Sequence, residues 1–109
     1  MALASRGILH ARSGRIEKAV HDAHHAAQRQ PDGLVKLQLA GIFALSSSHS
    51  HDAEYRKQAF YWLAATLKHN PSLARVAATD PDLSPLRPDV QFSRLIGAAL
   101  SLEDPQRGL

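Results

Sequence analysis

The chain has 109 residues, of which 44% are hydrophobic and 21% are charged. This length and composition suit one soluble globular domain, and they exclude a disordered tail or a second independent core. The sequence contains no cysteine, which excludes disulfide frameworks, zinc fingers, thiolate catalysis and iron–sulfur sites. No apolar run approaches the roughly 18–20 residues that span a bilayer, and no signal-peptide core opens the chain. We therefore expect a cytoplasmic protein with no membrane partner.

The net charge is only +3, because thirteen lysine and arginine residues are offset by ten aspartate and glutamate residues. The basic residues are spread over both halves of the chain. A nucleic-acid interface requires clustered cations that displace counterions from the phosphates. The sequence therefore predicts no nucleic-acid partner.

Apolar residues recur at helical spacing in four segments before residue 72. The spacing predicts helices that begin near Leu3, Ile16, Leu34 and Asp52 and that end at glycine, proline or polar breakers. The serine and histidine residues at 46–51 predict a mobile, exposed loop. Asp52 is a natural N-cap for the fourth helix. Short turns between successive helices predict two α-helical hairpins.

The two predicted hairpins are similar to each other, which indicates an internal repeat. Gly7 and Gly41, 34 residues apart, lie in the first helix of each hairpin, where the missing side chain allows close helix packing. Small residues also occur early in the second helices, and a proline closes each unit. The second unit is six residues longer than the first, and the extra residues fall at 46–51.

This pattern resembles the tetratricopeptide repeat (TPR) family, whose 34-residue unit is a helix–turn–helix with small residues at these positions and a proline at its end. The resemblance covers roughly residues 2–72 and is carried by Gly7, Gly14, Ala19, Ala26, Pro31, Gly41, Ala59 and Pro71. It implies an all-α fold of two TPR-like hairpins in a right-handed stack, with repeat one at 1–33 and repeat two at 34–72.

Residues 73–100 do not repeat the unit and are expected to cap the stack. The Asp80–Pro88 stretch contains too many prolines for a long helix, so its leucines should tuck a short turn against the preceding hairpin. Asp89 can cap a last helix whose apolar face consists of Phe92, Leu95, Ile96, Ala99 and Leu100. Residues 101–109 are expected to fray.

The proline-rich string and the helix after it are similar to C-terminal TPR regions of bacterial multidomain proteins, some of them attached to serine/threonine kinases. Helical repeats usually need about three units for stability. The chain offers two units and a cap, and it starts in a helical pattern without an N-cap. We therefore expect a fragment of a larger protein, or a chain that associates with itself.

The resemblance implies a non-catalytic protein–protein interaction module, or scaffold, that uses no cofactor. The family's usual site is the concave surface formed by the first helix of each hairpin. Placed on this sequence, that surface consists of Ile8, Arg12, Val35, Gln38, Ile42 and Leu45. These side chains are mostly apolar, so the expected partner is an apolar or amphipathic protein segment, or a second copy of the chain.

Histidine is the one reactive residue type in excess, at positions 10, 21, 24, 25, 49, 51 and 69. His21 and His25 are four residues apart on one helix and could chelate a divalent metal, but their spacing implies no third ligand. A small helical metal- or ligand-binding protein is therefore the alternative function. Solvated surface histidines are the favoured interpretation, and we assign no metal site.

Two further groups carry weaker signals. Ser48, His49 and Asp52 hold the ingredients of a nucleophilic triad but no rigid scaffold or oxyanion donors, so no catalytic residue is expected. Aromatic residues at 55, 60, 61 and 62 cluster on the fourth helix. Three successive residues cannot share one helix face, so we expect Leu63 and one or two aromatics to be buried and the others to stay partly exposed. Core packing is favoured over a binding platform.

Overall fold

Six α-helices and two short 3₁₀ helices build the part of the chain that the structure, a computed structural model, describes, namely residues 2–103. This part is all-α, as predicted. The α-helices are α1 (Leu3–Arg12), α2 (Ile16–Ala27), α3 (Gly33–Ser50), α4 (Ala53–His69), α5 (Ala74–Thr79) and α6 (Val90–Glu103). The 3₁₀ helices are Pro71–Leu73 and Pro81–Leu86. The α1–α2 and α3–α4 pairs each pack together across a short connection, which confirms the two predicted hairpins.

The connections follow the local chemistry that the sequence predicts. Gly14 adopts a φ of 78° between α1 and α2, a backbone conformation that glycine tolerates and most residues avoid. Asp32 caps α3 by accepting a 2.9 Å hydrogen bond from the backbone N–H of Val35. Asp52 caps α4 in the same way, accepting from the N–H of Glu54 at 2.8 Å. The helix starts at Gly33 and Ala53 are therefore fixed by side chains next to them in sequence.

Helix α3 lies at the centre of the molecule. It packs against α1, α2, α4 and the 3₁₀ helix Pro81–Leu86. Residues 39–44 form an unbroken run of buried positions on this helix. A helix that is apolar on all sides is typical of a core helix rather than of one with a face toward solvent. The domain is therefore built around α3.

The loop predicted at 46–51 is wrong, although residues 48–51 are exposed as expected. Helix α3 continues to Ser50, and Ser46 and Ser47 are buried. The hydroxyl of Ser46 donates to the carbonyl oxygen of Ile42 at 2.7 Å, and that of Ser47 donates to the carbonyl of Ala44 at 2.8 Å. Because its own helix satisfies each hydroxyl, serine can be buried here at little cost. Five of the six extra residues lengthen α3, and His51 follows as its C-cap residue.

Helix α6 packs on α4, α5 and the 3₁₀ helix Pro71–Leu73. Asp89 precedes it and accepts a 2.9 Å hydrogen bond from the N–H of Gln91, as the sequence predicts. Its buried face consists of Phe92, Ile96 and Ala99, with Leu95 and Leu100 partly buried. The helix continues to Glu103, three residues into the stretch predicted to fray, and residues 104–109 lie outside the described range.

Candidate functional site

The apolar stripe predicted on the first helices of the two hairpins is not an open groove. Ile42 is fully buried and Ile8 is nearly so. The two isoleucines pack reciprocally against the repeat glycines. A Cβ atom added to Gly7 would lie 2.7 Å from Cδ1 of Ile42, and one added to Gly41 would lie 3.0 Å from Cδ1 of Ile8. Both predicted binding residues therefore belong to the packing of α1 against α3.

The other predicted binding residues are also engaged within the chain. Val35, Gln38 and Leu45 are half-buried. The amide nitrogen Nε2 of Gln38 donates to the hydroxyl oxygen of Ser5 at 3.2 Å, across the α1–α3 contact. Arg12 is bound to Asp82, 70 residues further along the chain. The structure therefore does not bring these side chains together into an exposed surface.

The segment Asp80–Asp89, hereafter the return segment, covers α3. Its leucines Leu83 and Leu86 are fully buried, as expected for a turn tucked against the hairpin. The carboxylate of Asp82 accepts two hydrogen bonds from the Arg12 guanidinium, at 2.9 Å from Nε and 2.7 Å from Nη2. These bonds raise the pKa of the Arg12 guanidinium. The chain's own residues thus occupy the side of α3 on which a partner was expected.

Two further arginines hold the return segment in place. Arg87 donates to the carbonyl oxygens of Asp80 and Ala78 at 2.6 and 3.1 Å, which closes the segment on itself. Arg56 of α4 donates to the carbonyl of Pro85 at 3.2 Å and to the carboxylate of Asp89 at 3.1 Å. The Gln91 N–H and, after it, Arg56 lower the pKa of the Asp89 carboxyl. The segment is therefore tied to the first and second hairpins at once.

A buried carboxylate joins the two helices of the first hairpin. Asp22 of α2 accepts hydrogen bonds from Nε and Nη2 of Arg6 on α1, at 2.9 and 2.6 Å. The Nε2 atom of His10 lies 3.9 Å from the same carboxylate. The Arg6 hydrogen bond is the main cause of a lowered Asp22 pKa. This ion pair therefore ties α1 to α2.

One face of α4, hereafter the α4 face, presents an exposed aromatic ring. It consists of Glu54, Lys57, Gln58, Tyr61, Ala64, Ala65 and Lys68. Tyr61 is 62% exposed, and its ring meets that of Trp62 edge-on with the centroids 5.1 Å apart. Phe60 and Leu63 point into the core, which confirms the expected division of the aromatic cluster. A groove of about 510 Å³ runs beside Tyr61, between α4 and the start of α6.

The α4 face is also marked in the sequence by a regular spacing. Glu54, Tyr61 and Lys68 are spaced by seven residues. Seven residues complete nearly two helical turns, so such positions share one side of a helix. Ala64 and Ala65, which follow Tyr61, have small side chains, so this side of the helix projects little beyond its backbone.

The histidines do not converge on one place. The rings of His21 and His25 lie with their centroids 4.5 Å apart, whereas His24 packs edge-on against Phe43. Among residues 2–103, no three His, Asp or Glu side chains are grouped so that they could hold a metal ion. Ser48 and His49 are exposed at the end of α3, and Asp52 serves as the α4 cap.

Comparisons with protein families, with curated proteins and with solved structures find no match for this chain. Over the described range, the helices lack the combined length and apolar character needed to cross a bilayer.

Proposed function

We propose that the chain is a TPR-like, non-catalytic interaction module that binds a protein partner through the α4 face. The two hairpins, with Gly7 and Gly41 spaced by 34 residues, support the repeat assignment. Each of these glycines receives an isoleucine from the other hairpin, which is the use of a small residue that a stacked repeat requires. The right-handed stacking of the hairpins is part of this proposal.

The observation that carries the proposal is the exposure of Tyr61. Protein interfaces are enriched in aromatic residues, and tyrosine is among the side chains that dominate binding energy. Tyr61 lies on a regular helix, flanked by two alanines that leave room for an incoming side chain and rimmed by charges at both ends. An exposed aromatic ring beside an open groove is a suitable anchor for a partner.

The placement of the return segment directs the proposal away from the first helices. Ile8 and Ile42 are in the core, and Leu83 and Leu86 fill the remaining space on α3. A partner at that position would first have to displace buried leucines and the Arg12–Asp82 ion pair. The α4 face requires no such rearrangement.

Site-specific photo-crosslinking tests the proposal. Benzoylphenylalanine is introduced at Tyr61 in one variant and at Leu34 in a control, because both side chains are 62% exposed. After irradiation in cells, we expect a discrete crosslinked protein from position 61 and none from position 34. Equal crosslinking from both positions, or none from position 61, contradicts binding at the α4 face.

Metal binding is the second candidate, and the 4.5 Å separation of the His21 and His25 rings is the observation in its favour. A two-histidine site on one helix lacks the third and fourth ligands that a stable zinc centre uses. Calorimetric titration with zinc discriminates between the two functions. Micromolar or tighter binding that is lost in His21→Ala would favour the metal function.

A further inference from the structure

Two of the three charged residues of the α4 face, Glu54 and Lys68, lie symmetrically about Tyr61. Glu54 lies seven residues before Tyr61, and Lys68 lies seven residues after it. Both side chains are exposed, and neither forms an ion pair with any residue in the 2–103 range. The amide of Gln58 donates to Glu54 at 3.3 Å but supplies no charge. Lys57, one turn after Glu54, is the third charge of the face, and it also forms no ion pair within the 2–103 range.

We propose that the partner is a second copy of this chain, whose α4 packs antiparallel against the first with a twofold axis at Tyr61. In this arrangement, residues at equal distances on opposite sides of Tyr61 face each other. Glu54 of one copy then faces Lys68 of the partner subunit, and the same pair forms again at the other end. The inference rests on the proposed function and specifies its partner.

The geometry of an α-helix supports the antiparallel direction. Glu54 and Lys68 each lie about 10 Å from Tyr61 along the axis, at 1.5 Å per residue. A parallel pairing would bring Glu54 against Glu54 and Lys68 against Lys68, which is unfavourable at both ends. The antiparallel pairing converts both repulsions into attractions. A twofold interface must be self-complementary, and Glu54, Tyr61 and Lys68 meet that condition, whereas Lys57 would face the small Ala65 of the partner subunit.

The side chains near the axis also fit. Helical side chains lean toward the N-terminus of their own helix. In an antiparallel pair, Tyr61 therefore leans toward the C-terminal half of the neighbouring α4, where Ala64 and Ala65 leave space. Two tyrosines can then pack side by side across the axis.

A contact of one helix face is small by the standard of stable interfaces, so we expect weak association that depends on concentration. The end pairs are exposed to solvent, so salt should weaken it further.

Light scattering over a concentration series tests the pairing on the full chain. The wild-type mass should rise from 11.9 kDa toward twice that value as concentration increases. Glu54→Lys and Lys68→Glu should each remain at the monomer mass, since each places like charges together at both ends. The double variant should recover the mass increase, because it restores opposite charges.

Matched controls are available on α2. Glu17→Lys and Lys18→Glu make the same charge changes at exposed positions away from the α4 face, and both should associate as the wild type does. Circular dichroism must accompany every measurement, because Glu54→Lys and Lys68→Glu also oppose the helix dipole. If the double variant is as helical as the wild type but its mass does not rise with concentration, the antiparallel pairing is overturned.

Crosslinking provides a test of direction that does not depend on affinity alone. The sequence has no cysteine, so single cysteines can be introduced cleanly. Lys57 and Ala65 are both four residues from Tyr61, so Lys57→Cys mixed with Ala65→Cys should crosslink through a short bismaleimide. Each variant alone should not, because its two copies of the cysteine lie roughly 12 Å apart along the axis. Crosslinking of each variant alone indicates a parallel pair and overturns the proposal.

The two proposals fail in different ways. A wild type that stays monomeric at every concentration, together with a different protein crosslinked from position 61, overturns self-pairing and leaves the interaction module intact. A monomer with no crosslink from position 61 overturns both.

Discussion

Helices α3 and α4 are neighbours in one hairpin, but they differ in exposure. The side of α3 that faces the return segment is buried, whereas the α4 face is open to solvent. On α3, the apolar residues are covered by the other hairpin and by a segment that returns from far along the chain. On α4, an aromatic ring remains in solvent between small and charged residues. An apolar stripe at helical spacing therefore indicates burial but does not show which part of the molecule buries it.

The same charge placed on each of the two helices should have very different effects on stability. Ile42→Glu puts a carboxylate where no water reaches, and we expect a loss of about 4 kcal/mol or more in the free energy of unfolding. Tyr61→Glu should cost about 1 kcal/mol or less, since the side chain is exposed. Chemical denaturation followed by circular dichroism measures both. If the Ile42→Glu variant folds, Ile42 lies at the surface and not in the core.

The glycines offer a second contrast. A Cβ atom at Gly41 would lie 3.0 Å from Cδ1 of Ile8 and 3.2 Å from Cβ of Asp82. Gly41→Leu should therefore overpack this contact and cost on the order of 1–3 kcal/mol, seen as a lower melting temperature. An unchanged melting temperature would mean that α1, α3 and the return segment do not meet at Gly41.

Loss of the Arg12–Asp82 ion pair, which holds the return segment against α1, should have a smaller effect on the free energy of unfolding. Arg12→Ala leaves the Asp82 carboxylate without its two hydrogen bonds, although the half-exposed Arg12 side chain limits the loss to about 1–2 kcal/mol. Hydrogen exchange should increase first at Leu83 and Leu86 and leave α4 unchanged. Equal acceleration across both regions would indicate global rather than local opening.

Outward-facing positions should behave in the opposite way from Gly41. Gly97 of α6 has no atom within 4 Å of an added Cβ and is exposed in the middle of the helix. Gly97→Ala should raise the free energy of unfolding by about 0.5–1 kcal/mol, because alanine is the better helix former. A decrease in thermal stability would show that this side of α6 is covered.

The last prediction concerns the dependence of stability on pH. Arg6 lowers the pKa of Asp22 in the folded state, below the ordinary value of 3.8. The ion pair's contribution to stability is fully present above that ordinary value, and it is lost as pH falls through the lowered folded-state pKa. Arg6→Gln should therefore reduce the dependence of stability on pH below 3.8 and leave the charges of the α4 face unaffected. Identical acid titrations of wild type and variant would contradict this assignment.

The sequence predicts elements well where the signal is local. The start of α4 follows from Asp52, and the buried face of α6 follows from its periodicity. The serine residues at 46 and 47 were misleading, because their hydroxyls bond to their own helix and the polarity of the sequence says nothing of that.

The placement of the return segment has no local signal, since Arg12 and Asp82 are 70 residues apart. The composition of α3 nevertheless indicates that the helix is covered on all sides. Its residues 39–44 are Leu-Ala-Gly-Ile-Phe-Ala, which leaves no polar side for solvent. A helix of this kind needs cover on all sides, and the predicted groove left one side open.

The late arrival of the return segment has a consequence for how the protein is made. During synthesis, α3 is complete at residue 50, but Leu83 and Leu86 leave the ribosome more than thirty residues later. Until then, the apolar residues of α3 that these leucines cover remain exposed to water or bound by a chaperone. Contacts of such long sequence separation slow folding and expose intermediates to aggregation. We therefore expect nascent chains stalled before residue 80 to be more sensitive to protease than chains released past residue 90.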